Sequence, residues 1–162
     1  MTNTAAIRPN GRQDIAALGA FLVLSALAGG LGSVATTPNI PTWYAGLAKP
    51  WFNPPNLAFP IVWTLLYVMI AVAGWLAWRE HRPRALVPFF VQIALNVAWS
   101  FAFFGMHSPA AGLVVIGALW LSIVWTMMLF WPLSRAASLL LAPYLAWVSF
   151  AALLNAAILW LN

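Results

Sequence analysis

ALVPFFVQIALNVAWSFAFF, residues 85–104, carries no charge between Arg82-Pro83-Arg84 and the turn Gly105-Met106-His107-Ser108-Pro109. At about 1.5 Å of rise per residue, such a run crosses the roughly 30 Å of a bilayer's hydrocarbon as a helix. It lacks the alternation of a barrel strand. Reading outward, four further apolar runs stand at 15–35, 59–78, 110–131 and 136–161, separated by breaks rich in Arg, Pro and Ser. The expected fold is all-α, a polytopic bundle of five transmembrane helices forming one domain over 1–162. A segment at 36–58, holding Pro38, Pro41, Pro50, Pro54 and Pro55, is expected to be a folded loop or lid. Proline at that density argues against a long helix there, with room for a short one around 42–48.

Composition points the same way. The chain is 64% hydrophobic and 6% charged, with mean hydropathy +0.91. Seven basic and two acidic side chains cannot wet the surface of a soluble domain, so the solvent is the lipid bilayer. The +5 charge is spread through the gaps between apolar runs instead of forming a patch, which excludes nucleic-acid binding. The absence of cysteine excludes disulfides and thiolate chemistry.

Arg8 and Arg12 before an apolar stretch, with Ser33-Val34-Ala35 after it, imitate a secretory signal. The stretch is long for such a signal, and Ala26, Gly29, Gly30, Gly32 and Ser33 suit helix packing, so a retained helix is expected. With five crossings, Arg8, Arg12, Arg79, Arg82, Arg84 and Arg135 share one side and Lys49 takes the other. In a bacterial cell membrane that asymmetry places the amino terminus in the cytoplasm and the proline-rich loop outside.

The tryptophans divide by depth. Trp75, Trp78, Trp131 and Trp160 fall near run ends and read as an interfacial belt. Trp63, Trp99, Trp120, Trp125 and Trp147 lie further in, where an indole N–H needs a partner or a cavity. Gln92, Asn96 and Trp99, spaced four and three, share one face of the third helix. Ala94, Ala98 and Ala102 form a small-residue stripe on the opposite face, suited to helix or subunit packing. The amides are either interhelical glue, worth about 0.6 kcal/mol each, or a pocket lining.

Counted from the loop side, Trp63 stands at about 6 Å, Tyr67 at about 12 Å, Trp99 at about 9 Å and Asn96 at about 13 Å. On the fifth run Tyr144, Trp147, Ala151 and Asn155 share a face, with Ala151 near 13 Å and Trp147 near 20 Å. Pro143 can bend that helix. A lining of amides, phenols and flat rings would suit a flat, mostly apolar ligand, provided the three faces converge.

Enzyme chemistry is poorly equipped. Asp14 and Glu80 are the only carboxylates, and His81 and His107 fall on opposite sides of this topology. No triad, paired-carboxylate or metal site can be assembled from them, and the spans hold no charge for a pump.

Trp43-Tyr44-Ala45-Gly46-Leu47-Ala48-Lys49-Pro50, followed by Pro54-Pro55 and then Trp63 with Leu66-Tyr67, resembles the signature of the TspO/MBR family. Gln92-x-x-Leu95-Asn96-x-x-Trp99 with Phe103-Phe104-Gly105, and Pro143-Tyr144-Leu145-Ala146-Trp147 with Phe150 and Leu154-Asn155, extend the resemblance over nearly the whole chain. That family includes tryptophan-rich sensory proteins and the translocator protein, or peripheral benzodiazepine receptor. The resemblance implies a homodimer with no required cofactor that binds porphyrin-type ligands, and in some members benzodiazepine-type drugs. It implies a pocket beneath the first loop at Trp63, Tyr67, Gln92, Asn96, Trp99, Trp147 and Ala151; the shared helix face adds Tyr144 to the expected lining, and the expected lid includes Trp43, Lys49, Pro50, Trp51, Pro54 and Pro55. The implied roles are receptor or carrier, with stress- or oxygen-linked regulation. The alternatives are light-dependent degradation of protoporphyrin IX using Trp63 and Trp147, and a purely structural membrane protein. The Tyr and Lys or Arg of the sterol motif are missing after Leu154-Asn155, so no sterol binding is expected.

Overall fold

The computed structural model describes residues 11–162, so the expectation for Arg8 lies outside the described residues. Five helical stretches are long and apolar enough to cross a membrane: Gly11–Tyr44, Ala58–Trp78, Pro83–Gly105, Pro109–Phe130 and Arg135–Leu161. No strand occurs among the described residues. The helices are α1 (Gly11–Thr36), α2 (Ala58–Trp78), α3 (Val87–Ser100), α4 (Pro109–Phe130), α5 (Arg135–Leu140) and α6 (Ala142–Leu161). They close a ring in which α1 packs on α2 and α3, α4 packs on α3 and α6, and α2 meets α5.

The first crossing departs from expectation. Past Thr36 the chain runs on through a 3₁₀ turn, Thr37–Asn39, and a wide π turn, Ile40–Tyr44. Pro38 and Pro41 occupy early positions of these turns, where a missing N–H costs least. Thr36, Asn39 and Thr42 donate side-chain hydrogen bonds to the carbonyls of Gly32, Ala35 and Pro38. The prolines therefore re-pitch the helix instead of ending it, and the expected separate helix around 42–48 is the tail of this one. The third crossing also widens at its end, through a π turn at Phe101–Gly105. The fifth breaks at Leu141, next to Pro143, into α5 and α6. Ser108 and Ser134 cap α4 and α5 by accepting from the N–H of Ala111 and Ala137.

His81 and His107 take left-handed backbone conformations, with φ of 52° and 51°, at the turns ending α2 and the third crossing. That conformation reverses the chain after a helix and usually falls to Gly or Asn. His107 Nε2 lies 2.7 Å from Asn39 Oδ1, and its ring stacks on Trp43.

Two tryptophans differ from the belt-and-interior division. Trp75 Nε1 donates to the carbonyl and carboxylate oxygens of Asp14 at 3.1 and 3.0 Å, and Arg79 covers its ring while pairing with Asp14. It therefore ties α2 to the start of α1 instead of floating at an interface. Trp125 faces outward, half-exposed, whereas Trp120 donates to Ser149 Oγ.

Of the glycines, the one most closely hemmed in is Gly74, buried on α2. A Cβ there would lie 2.5 Å from the Phe89 ring and 2.8 Å from that of Phe21. Both rings sit in the core, with Phe89 also stacked on Phe130. Gly74→Ala is expected to cost about 1–3 kcal/mol through overpacking. Thermal unfolding in detergent checks this, and an unchanged midpoint would contradict the packing described.

Candidate ligand-binding cavity

A cavity of about 660 Å³ opens between α1, α2 and α3, beneath the segment that leaves α1. Its volume falls in the usual range of small-molecule pockets, about 300–1,000 Å³. The α1 wall is built from small residues four and three apart, Ser25, Gly29 and Gly32. At Gly29 a Cβ would come within 2.8 Å of the Tyr67 ring, so glycine lets that ring lie against the α1 backbone. From α2 come Trp63 and Tyr67, one helical turn apart. From α3 come Asn96, Trp99 and Ser100, and Tyr44, Phe59 and Phe104 close the loop end.

Polar groups at the cavity wall are fixed by a chain of bonds. Tyr67 OH donates to Asn96 Oδ1 at 2.7 Å, and Asn96 Nδ2 donates to Tyr144 OH at 3.0 Å. Trp99 Nε1 donates to Asn155 Oδ1 at 3.3 Å, and Asn155 Nδ2 donates to the Pro109 carbonyl at 2.7 Å. The Trp63 ring leans on those of Tyr67 and Tyr144, with centroids 5.5 and 6.2 Å away. Ser25 lines the cavity, is 1% exposed, and its Oγ has no hydrogen-bond partner.

Of the eight residues expected to line a pocket, Trp63, Tyr67, Asn96 and Trp99 do so. The other four lie elsewhere. Tyr144 is fully buried behind Asn96, and Ala151 sits in the core. Trp147 packs against Phe59 and Phe150, one aromatic layer back. Gln92 is fully buried, with neither amide atom hydrogen-bonded. The physical reason is the Asn96–Tyr144 bond together with the Trp63–Tyr144 contact. They fill the space between the third and fifth crossings and shift the opening toward α1. The sequence reading missed Ser25, Gly29, Gly32 and Ser100. The spacing of the first three carried the signal, but small residues on one face read equally as a packing seam.

The loop over this end is folded. Tyr44 OH donates to Asn53 Oδ1 at 2.7 Å, and Lys49 Nζ donates to the Ala45 and Leu47 carbonyls while lying over the Tyr44 ring. Trp43 packs on Phe103 and Phe104. The Pro50 and Pro55 carbonyls accept from Asn53 and Ala58 N–H in tight turns on either side of Pro54. The Asn162 amide clasps both backbone groups of Ala48. Trp51, among the expected lid residues, is almost wholly exposed.

No carboxylate or histidine lines this cavity, and no cluster that could hold a metal occurs among the described residues. The lining is suited to stacking and hydrogen bonding.

Comparison with known proteins fits this arrangement. Residues 20–161 match the TspO/MBR family. The chain is 49% identical to a tryptophan-rich protein TspO of Chlorobaculum tepidum, over 84% of this chain and 90% of that protein. It is 45% identical to a protein of the same name from Archaeoglobus fulgidus, over 86% and 94%. Identity to the human translocator protein is 36%, over 70% of each.

Asn96→Leu is expected to leave the Tyr67 and Tyr144 hydroxyls without their shared partner, at a cost of about 1–3 kcal/mol. Tyr67→Phe should then cost less in the Asn96→Leu background than in wild type, by about 0.5 kcal/mol or more. A double-mutant cycle on thermal stability measures this coupling, and additive effects would contradict the network.

Proposed function

The chain belongs to the TspO/MBR family and is an integral multi-pass membrane protein, and we propose that it is a receptor or carrier for porphyrin-type ligands. The ligand stacks against Trp63, Tyr67 and Trp99 in the cavity under the first loop, presenting polar edge atoms to Asn96. The observation that carries this reading is the meeting of three aromatic faces around one buried amide in a cavity of ligand size. A flat apolar ring system gains most from such faces, and few polar groups suffice to orient it. The proposed role is coupled to stress or oxygen. The amino terminus is proposed to be cytoplasmic in a bacterial cell membrane, on the strength of the arginine asymmetry.

Light-dependent porphyrin breakdown is the alternative. Of its two candidate indoles, Trp63 lines the cavity and Trp147 does not, which favours binding without processing.

A homodimer is proposed through α3. Ala94 and Ala98 face outward there, whereas Ala102 is buried within the chain's own core. The π turn that begins at Phe101 rotates Ala102 off the outward face.

Titrating the purified protein with protoporphyrin IX in the dark should quench tryptophan fluorescence to saturation, with a dissociation constant on the order of micromolar. Failure to saturate would overturn the proposal. Under illumination, bound porphyrin should bleach equally in wild type and Trp147→Phe; bleaching that is lost in the variant would favour the enzymatic reading. Ala98→Phe should shift the oligomer toward monomer in detergent. Unaltered oligomer size would count against the α3 interface.

A further inference from the structure

A second opening, of about 640 Å³, lies at the other end of the bundle, beside the first turns of α1. Its floor is apolar: Ala16, Ala17, Ala20 and Phe21 from α1, with Leu86 and Phe90 from the start of the third crossing. Its rim carries Gln13, Trp78 and His81. The geometry follows from two fixed points. The Trp75–Asp14–Arg79 contact holds the start of α1 to the end of α2. The left-handed turn at His81 then offsets the third crossing. The alanines between these anchors are too short to fill the space left open.

The charge beside this groove is lopsided. Arg12 flanks Gln13 on the rim, and Arg82 and Arg84 lie one and three residues past His81. All three are exposed, and none forms an ion pair among the described residues. Arg79 is already engaged by Asp14, which leaves Glu80 as the only other acidic side chain on this edge. An apolar groove between membrane-crossing helices, flanked in sequence by three arginines that form no ion pair among the described residues, matches one kind of occupant, with a hydrocarbon tail and an anionic head.

We propose that this groove binds an anionic phospholipid, one acyl chain lying along the alanine face of α1 and the phosphate held by Arg82 and Arg84. Guanidinium groups suit the head because they present paired donors to phosphate oxygens. The site is separate from the cavity under the first loop and does not depend on what that cavity binds.

Native mass spectrometry of the full chain, exchanged into equal dioleoyl phosphatidylglycerol and dioleoyl phosphatidylcholine, tests the proposal because only the headgroups differ. Retained phosphatidylglycerol should exceed phosphatidylcholine by about fivefold or more. The double variant Arg82→Gln, Arg84→Gln should abolish that preference, and Ala17→Leu should reduce retention of both lipids by filling the groove. Ala17→Leu should leave protoporphyrin titration unchanged, which shows the variant folded and keeps the two sites distinguishable. Equal retention of the two lipids by wild type would overturn the proposal, as would retention indifferent to Ala17→Leu. A wild-type preference that survives in the arginine variant would overturn it too. Lipid-free dimers that Ala17→Leu dissociates would instead make a second copy of this chain the occupant.

Discussion

A single carboxamide, that of Asn96, joins three crossings inside the bundle. It accepts from Tyr67 on α2 and donates to Tyr144 on α6, and all three polar groups lie where lipid or core would otherwise leave them unsatisfied. Buried polar groups without partners are costly, so this arrangement fixes how the second, third and fifth crossings stand to one another. It also decides where the open space falls. With Tyr144 drawn against Asn96 and Trp63 leaning on it, the fifth crossing is sealed off and the cavity is left to α1, α2 and α3.

The rest of the site follows from that placement. Gly29 and Gly32 on α1 become walls because a side chain there would press on Tyr67 or Ser100. The helix of the first crossing carries on past two prolines and delivers Tyr44 to the cavity's end, where Asn53 and Lys49 hold the loop in place. The lid is thus an extension of the first crossing, locked through its own backbone carbonyls and the amide of Asn162.

The crossings were legible in the sequence because hydrophobic length is a coarse, local quantity. The run at 59–78 differs from Ala58–Trp78 by one residue at its start. The end of the first helix was not legible. Pro38 and Pro41 signal a break by propensity, while 3₁₀ and π turns backed by side-chain donors from Thr36, Asn39 and Thr42 override it. At the site, spacing identified Asn96, Trp99, Trp63 and Tyr67, since face and depth are both countable along a helix. It could not say which neighbour each face would meet. Tyr144, Trp147 and Ala151 share a face as expected, yet that face closes onto Asn96 and Phe59 instead of onto open space. Gln92 lies on the same face as Asn96 and is buried in the core without a partner, a difference of one helical turn that periodicity does not register.

A ligand in this cavity would rest against α1, α2 and α3 and away from the fifth crossing. The most direct test is the dissociation constant of protoporphyrin IX measured side by side on Trp63→Ala and Trp147→Ala. Loss of about tenfold or more in affinity for Trp63→Ala, with Trp147→Ala within about twofold of wild type, is the expected result. The reverse order would contradict it, by showing that the ligand sits on the face that Asn96 and Tyr144 are described as closing.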